Sequence, residues 1–169
     1  KGLEVHFKEG DLRQSVLFGP VDRELQHGAF ESFSAFNRVN DKIEWRRDAS
    51  GKPFATILRW FIENPGPDGS PSPESTGQVL VISRVATPDY QGSRCVGMVD
   101  AKANANANLL ARQVADAATV GAAFAVVTGG EPLEHDLEPL CEALAQSVPS
   151  LPLHLVTPTA RRRAARPLR

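Results

Sequence analysis

Cysteine, methionine and tyrosine are scarce in this sequence, which has two Cys, one Met and one Tyr among 169 residues. Two cysteines allow a single disulfide, and they exclude both a disulfide framework and a cysteine-based metal cluster. Long apolar runs are also missing, because the longest mostly apolar stretch, residues 114–127, is interrupted by Asp116 and is shorter than the about 20 residues that cross a bilayer. No short repeat occurs, which excludes collagen-like and coiled-coil proteins. A soluble globular domain is the class that remains.

A strong net charge is absent as well. Nineteen Lys and Arg stand against twenty Asp and Glu, and the resulting net charge of -1 argues against a dedicated nucleic-acid binder. Five arginines nevertheless lie in the last nine residues and leave the rest of the chain acidic: Arg161, Arg162, Arg163, Arg166 and Arg169. We expect residues 159–169 to be a disordered basic tail, with weak contact to an anionic surface as its functional alternative.

Extended segments separated by turns fill the first hundred residues. Six segments are predicted as strands: residues 5–8, 15–18, 41–47, 54–62, 78–85 and 94–100. The first two flank Glu9-Gly10-Asp11, which has the composition of a turn. Residues 54–62 are apolar on both faces, so we predict that they lie in the middle of the sheet. Phe30, Phe33 and Phe36 recur every three residues, which predicts one helical turn packed on the core.

One amphipathic helix follows the strands. Small and apolar residues recur at helical spacing on a single face: Ala107, Leu110, Ala111, Val114 and Ala118. We predict a helix over residues 104–118 that covers an antiparallel sheet, with Asp100, Asn104 or Asn106 as its N-cap. The alternation of Asp100 with asparagines is superficially typical of a calcium loop, but the turn glycine and the closing glutamate of such a loop are missing.

Several phrases of the first three quarters occur together in a known family. They are Glu9-Gly-Asp-Leu-Arg13, Phe36-Asn37, Ile43-Glu-Trp-Arg46, Pro53-Phe-Ala-Thr-Ile-Leu-Arg-Trp60, Gly77-Gln-Val-Leu-Val81 and Val99-Asp-Ala-Lys-Ala-Asn-Ala-Asn-Ala-Asn-Leu-Leu-Ala-Arg112. With these phrases, residues 1–124 resemble an uncharacterised family of small exported proteins of alphaproteobacteria. The resemblance implies a removed signal peptide, a periplasmic or secreted location, and a disulfide near the helix.

The cysteines depart from the pattern of that family. The resemblance implies a cysteine near Phe124 as the partner of Cys95, but this chain reads Phe124-Ala-Val-Val-Thr128 there. Cys95 is therefore either a buried thiol or bonded to Cys141. Because a disulfide requires Cα atoms within about 7 Å, the sequence leaves both alternatives open. Of the two, we expect mostly reduced thiols.

Residues 124–158 are organised as a β-strand, an amphipathic helix and a second strand, which predicts a βαβ unit. The run Val126-Val-Thr-Gly-Gly-Glu-Pro-Leu133 resembles one βα unit of radical S-adenosylmethionine enzymes of the 7-carboxy-7-deazaguanine synthase type. In those enzymes the turn holds the amino group of the cofactor, which implies that role for Gly129, Gly130 and Glu131. They also bind an iron–sulfur cluster through a C-x3-C-x2-C spacing, which this chain does not carry.

The sequence thus predicts an α+β fold, with an antiparallel sheet of four to six strands packed by one main helix over residues 1–123. A βαβ-like segment, 124–158, and the basic tail, 159–169, complete the predicted organisation. The leading functional hypothesis is an exported, non-enzymatic binding or structural module of the bacterial envelope, without metal or cofactor and without a catalytic residue. The alternative is a small cofactor-binding enzyme, or a degenerate radical S-adenosylmethionine fragment, that uses Gly129, Gly130 and Glu131.

Overall fold

The structure, a computed structural model, describes residues 3–22, 33–90 and 95–118. These ranges contain, in chain order, β1 Val5–Gly10, β2 Arg13–Phe18, β3 Asn37–Arg47, β4 Pro53–Ile62, β5 Gly77–Arg84, β6 Cys95–Asp100 and the helix α1 Ala107–Ala118. Strands β1 and β2 form a hairpin, and the other four form a sheet in the order β3-β4-β5-β6. Every pairing is antiparallel. The predicted α+β class with an antiparallel sheet is confirmed.

Three predictions fall on residues outside the described ranges. They concern the βαβ-like segment 124–158, the basic tail 159–169 and the domain boundary at residue 123. All three stay predictions.

The predicted central strand is confirmed, because β4 lies between β3 and β5 and is covered on both faces. On one face α1 packs over an aliphatic cluster: Ala55, Ile57, Leu80, Ile82, Val99, Ala107, Ala111, Val114 and Ala115. On the other face the hairpin and residues 33–35 cover a second, more aromatic cluster: Phe18, Leu58, Trp60, Ile62, Val79, Val81 and Val85. Alternating side chains of one strand therefore enter two separate cores.

Helix α1 begins three residues later than the sequence predicts. The side-chain oxygen Oδ1 of Asp100 accepts the N–H groups of Lys102 and Ala103 at 2.8 and 2.9 Å, which holds this stretch in a turn. The first helical hydrogen bond runs from the N–H of Leu110 to the carbonyl of Asn106, at 3.0 Å. Asn106 is thus the N-cap among the three candidates, since its carbonyl accepts the first bond of the helix.

The hairpin turn also differs from the prediction, since it is formed by Asp11 and Leu12 rather than by Glu9-Gly10-Asp11. Gly10 remains in the ladder and pairs with Arg13. Asp11 and Leu12 have φ of 52° and 56°, the left-handed backbone that a two-residue turn needs to match the twist of its strands. The glycine indicated a turn, but the register of the two strands places the turn beyond it.

The predicted helical turn of phenylalanines is wrong for the described residues, because residues 33–36 are not helical and contain a bend at residues 34 and 35. Phe33 does pack in the aromatic core, where its ring meets that of Trp60 edge to face with centroids 5.4 Å apart. Phe36 is 39% exposed, and the guanidinium of Arg13 lies 5.0 Å from the centre of its ring. Phe30 lies outside the described residues.

Candidate binding groove

The site residues suggested by the sequence are largely outside the described part of the chain. Gly129, Gly130, Glu131, Cys141 and the five tail arginines belong to residues 119–169, so their predicted roles stay predictions. Cys95 opens β6, where its Sγ donates to the carbonyl of Gly97 at 3.5 Å. Within the described ranges, no three His, Cys, Asp or Glu side chains form a group that could hold a metal ion.

An apolar groove of about 180 Å³ lies where the end of the hairpin meets the ends of β3 and β5. Its walls come from four parts of the chain that are distant in sequence: Leu3, Glu4, Gly19, Pro20, Trp45, Lys52, Pro53, Val85, Ala86, Thr87 and Pro88. Most of these side chains are apolar, and three of them are prolines, which keep their shape when a ligand enters. The groove is therefore a preformed concave surface with few polar groups.

Gly19 brings the two sides of the groove together. The residue has a φ of +91°, and a Cβ placed on it would lie 2.5 Å from the carbonyl oxygen of Ala86. This closeness lets the N–H of Ala86 donate to the carbonyl of Phe18 at 2.8 Å. A residue with a side chain would separate these backbones, so glycine is required here both for its conformation and for its size.

Trp45 forms the aromatic wall of the groove. It lies on β3, half-buried, and its ring meets that of Phe18 edge to face, with centroids 5.8 Å apart and planes at 87°. This geometry is favourable for two aromatic rings, because the edge of one ring faces the electron-rich face of the other. The hairpin core thus fixes the orientation of the ring that lines the groove.

Lys52 is an exposed, positively charged residue among those that line the groove. Its backbone is held by the β3–β4 turn, in which Asp48 Oδ1 accepts the N–H groups of Ser50 and Lys52 at 2.9 and 3.0 Å. The hydroxyl of Ser50 also donates to this carboxylate, and this bond, followed by that from Lys52, lowers the pKa of Asp48. Among the described residues, the ammonium group of Lys52 has no carboxylate within ion-pair distance.

A second group of charges lies on the opposite, helix-covered side of the sheet. The guanidinium of Arg112 donates to both carboxylate oxygens of Glu44, at 2.8 and 2.9 Å, and that of Arg46 reaches Asp116 at 2.7 Å. The bonds from Arg112 lower the pKa of Glu44. Each charge here is matched by an opposite one, so this group attaches α1 to the edge strand β3 and is not a ligand site.

The sequence alone did not reveal the groove. Nothing in the spacing of Gly19, Trp45 and Val85 along the sequence indicates that they meet. A Gly-Pro pair after an apolar strand, here Gly19-Pro20, was the one local signal, because it marks a chain reversal with unusual backbone angles.

Comparison with known proteins gives one short match. The 7-carboxy-7-deazaguanine synthase of Synechocystis sp. is 52% identical over 44 residues, which is 26% of this chain. The chain covers 20% of the length of that enzyme. No protein-family model matches the chain, and no solved structure matches it. In the described residues no helix is long and apolar enough to span a membrane.

Proposed function

We propose that this protein is a non-enzymatic binding module of the bacterial envelope, whose groove takes small aromatic carboxylates. The observation that carries the proposal is the combination of an apolar groove, an oriented Trp45 ring on its wall and a positively charged residue, Lys52, among those that line it. These are the elements of a small-ligand site, in which apolar walls supply affinity and a few polar groups fix orientation.

The size of the groove supports a ligand with one ring. A cavity of about 150 Å³ accommodates a benzene molecule in another protein, and this groove has about 180 Å³. Trp45 offers the face or edge of an indole, against which a second ring gains about 0.5–1.5 kcal/mol beyond the burial of its area. The groove therefore has room for a single aromatic ring.

The charges on the rim favour an anion at the Lys52 side. An ammonium group without an ion pair can bind a carboxylate without first breaking an existing contact. Glu4 lies on the rim as well, with a side chain that is 57% exposed and 3.9 Å from His6 Nε2. Its carboxylate disfavours an anion on its own side, so the ligand carboxylate is expected beside Lys52.

Tryptophan fluorescence provides a direct test. The chain has two tryptophans, and Trp60 is buried in the aromatic core, so a Trp60→Phe variant reports on Trp45 alone. Phenylacetate, phenethylamine and toluene are titrated into this variant. Phenylacetate should change the Trp45 emission with a dissociation constant of about 1 mM, the range set by about -0.4 kcal/mol for each of its ten non-hydrogen atoms. The amine should bind more weakly.

Replacing the rim charge completes that test. Lys52→Gln should weaken phenylacetate binding several-fold and leave toluene binding unchanged, because only the anion uses the ammonium group. The matched control is Lys42→Gln, which replaces an exposed lysine of β3 outside the groove. It should change neither the phenylacetate affinity nor the toluene affinity. An emission unaffected by all three ligands, or a phenylacetate affinity equal in the Lys52→Gln and Lys42→Gln variants, would exclude this ligand class.

The envelope location rests on the resemblance of residues 1–124 to exported alphaproteobacterial proteins. Its test is the gene: an open reading frame that continues upstream into a secretion signal, together with recovery of the protein in the periplasmic fraction, supports export. A protein found with the cytoplasmic fraction would contradict it.

A second function is favoured by the 44-residue match to 7-carboxy-7-deazaguanine synthase. Under this proposal the chain binds S-adenosylmethionine through Gly129, Gly130 and Glu131, as a small cofactor-binding enzyme or a degenerate fragment of one. The residues do not fit the iron–sulfur cluster of such enzymes, because the chain has two cysteines, Cys95 and Cys141, without the C-x3-C-x2-C spacing.

Calorimetric titration with S-adenosylmethionine distinguishes the two functions. Micromolar binding that disappears in the Glu131→Ala variant would favour the cofactor-binding function and overturn the non-enzymatic module. If both the original chain and the Glu131→Ala variant give only the heat of dilution, the cofactor-binding function is excluded. The phenylacetate titration is independent of this result, because its groove does not include Glu131.

A further inference from the structure

In the described part of the chain, β1 and the residues just before it expose an apolar strip. Leu3, two residues before β1, and Val5 and Phe7 within it lie at alternating positions and are 42%, 42% and 56% exposed. In the described sheets β1 pairs with β2 alone, so its second edge is open. An open edge with apolar side chains favours pairing with another strand, and proteins normally cover or charge such an edge.

The register of the hairpin shows which backbone groups point to the open edge. Gly10 and Arg13 flank the two-residue turn and are a hydrogen-bonded pair of the ladder. Because hydrogen-bonded pairs alternate along antiparallel strands, the backbone groups of the even-numbered residues of β1 are the ones that bond to β2. The bond from the N–H of Gly19 to the carbonyl of Glu4, at 3.0 Å, continues this alternation. The N–H and C=O groups of Val5 and Phe7 therefore point away from β2, and within the described chain they meet no backbone partner.

We propose that the open edge of β1 pairs with β1 of a second copy of this chain, antiparallel, with the two-fold axis at His6. In this register Val5 lies opposite Phe7 of the second copy, and both residues present their outward backbone groups to each other. Glu4 lies opposite Lys8 of the second copy. Each contact occurs twice because of the symmetry, which gives two apolar pairs and two pairs of opposite charge.

Charge complementarity selects this register over its neighbours. An axis one step along, at Phe7, would lose the charge pairs. It would also place Val5 opposite Glu9, as the axis at His6 places Leu3 opposite Glu9. An axis at Lys8 would place two lysines opposite each other, which is unfavourable in a ladder. An axis at Val5 would place Leu3 opposite Phe7 but Glu4 opposite His6, without a Glu–Lys pair. Of these registers, the axis at His6 is the one that pairs Glu4 with Lys8, and it joins the two hairpins into one sheet in the order β2-β1-β1-β2.

The test is the mass of the full chain measured by sedimentation equilibrium over a wide range of concentrations. The original chain should show a monomer–dimer equilibrium. Lys8→Glu and Glu4→Lys should each raise the dissociation constant about tenfold or more, because two attractive pairs become repulsive. The double variant, Glu4→Lys with Lys8→Glu, should restore the original constant, since it exchanges the charges and keeps them opposite.

A third variant tests the backbone contact without using charge. Phe7→Pro removes an N–H that points outward and keeps the ladder to β2 intact, a position where an edge strand tolerates proline. It should abolish the dimer and leave the far-ultraviolet circular dichroism unchanged. Leu109→Gln, at a 55% exposed apolar residue of α1, is the control and should leave the dimer as it was.

Three outcomes would overturn the proposal. A monomer at every concentration would show that no second copy uses the edge. A dimer insensitive to Phe7→Pro, or one weakened only by Leu109→Gln, would place the interface elsewhere. Failure of the double charge exchange to restore the dimer would exclude the register. Lys52→Gln should not affect the dimer, so failure here is distinguishable from failure of the proposed aromatic-carboxylate site.

Discussion

Gly19 is the residue on which the shape of the groove depends most directly. Replacement by alanine adds a Cβ that would lie 2.5 Å from the carbonyl oxygen and 2.9 Å from the nitrogen of Ala86, at a φ of +91°. We expect Gly19→Ala to lower the free energy of unfolding by about 3 kcal/mol, through the combined cost of contact and conformation. Chemical denaturation, monitored by tryptophan emission, measures this difference in the free energy of unfolding.

Gly51 provides the matched control for Gly19. Its φ is +82°, but a Cβ on it would have nothing within 4 Å. Gly51→Ala should therefore show the conformational cost alone, about 1 kcal/mol. Equal effects at the two glycines would mean that the backbone of Ala86 moves away without cost.

Thr56 presents a buried hydroxyl that has no hydrogen-bond partner in the described structure, and the residue is 0% exposed. Valine has nearly the same shape and does not require a partner in the core. We expect Thr56→Val to raise the free energy of unfolding by about 1 kcal/mol, because the cost of burying an unpaired hydroxyl disappears. Thermal unfolding measures the change.

The comparison for that variant is Thr56→Ser, which keeps the hydroxyl and removes a methyl group from the core. It should lower the free energy of unfolding by about 1 kcal/mol. A loss of stability in Thr56→Val as well would indicate that the hydroxyl is bonded in solution.

Among the elements, α1 and β3 are joined by the ion pair of Glu44 and Arg112, and this pair should make stability depend on pH. The hydrogen bonds from Arg112 lower the pKa of Glu44. The carboxylate therefore stabilises the fold above its unfolded pKa, and this contribution is lost as the pH falls through the lower folded value. Wild type should exceed Glu44→Gln in unfolding free energy at neutral pH, and the difference should disappear in acid.

An Arg112→Gln background separates the pair from other effects of the substitution. There, Glu44→Gln should have little remaining influence, because the partner that lowers the pKa is missing. An unchanged effect of Glu44→Gln in both backgrounds would attribute the pH dependence to a different group. Arg46, whose Nη1 lies 3.7 Å from Glu44 Oε1, accounts for any small remainder.

The elements themselves were largely predictable from local pattern. Strand β4 was recognised because both of its faces are apolar, and α1 was recognised by small residues at helical spacing. Their ends were less predictable: the helix starts at Ala107 because Asp100 holds the preceding residues in a turn. The buried Ala115 was not among the residues assigned to the core face, since alanine is common on every face of a helix.

For the whole molecule, the domain boundary at residue 123 predicts that the preceding part folds by itself. The buried clusters on both faces of the four-stranded sheet are built from residues 18 to 115. A chain of residues 1–123 should therefore unfold cooperatively and keep the near-ultraviolet circular dichroism of Trp45 and Trp60. Loss of that signal would show that residues 124–169 complete the fold.

The two cysteines make a second prediction for the whole molecule. We expect both cysteines to be mostly reduced; in the described structure the Sγ of Cys95 lies 3.5 Å from the carbonyl oxygen of Gly97. Titration of the chain in denaturant, without reductant, should count two reactive thiols. A count of zero would refute this expectation.

The sequence by itself determined the strands, the helix and the central position of β4, because side-chain alternation and helical spacing are local properties. Tertiary structure alone decided the turn at Asp11 and Leu12, the close approach at Gly19 and the groove beside Trp45. It also decided the pairing of Glu44 with Arg112, which are 68 residues apart in the chain. Contacts of this kind depend on register and packing between distant segments, and no short window of sequence contains both partners.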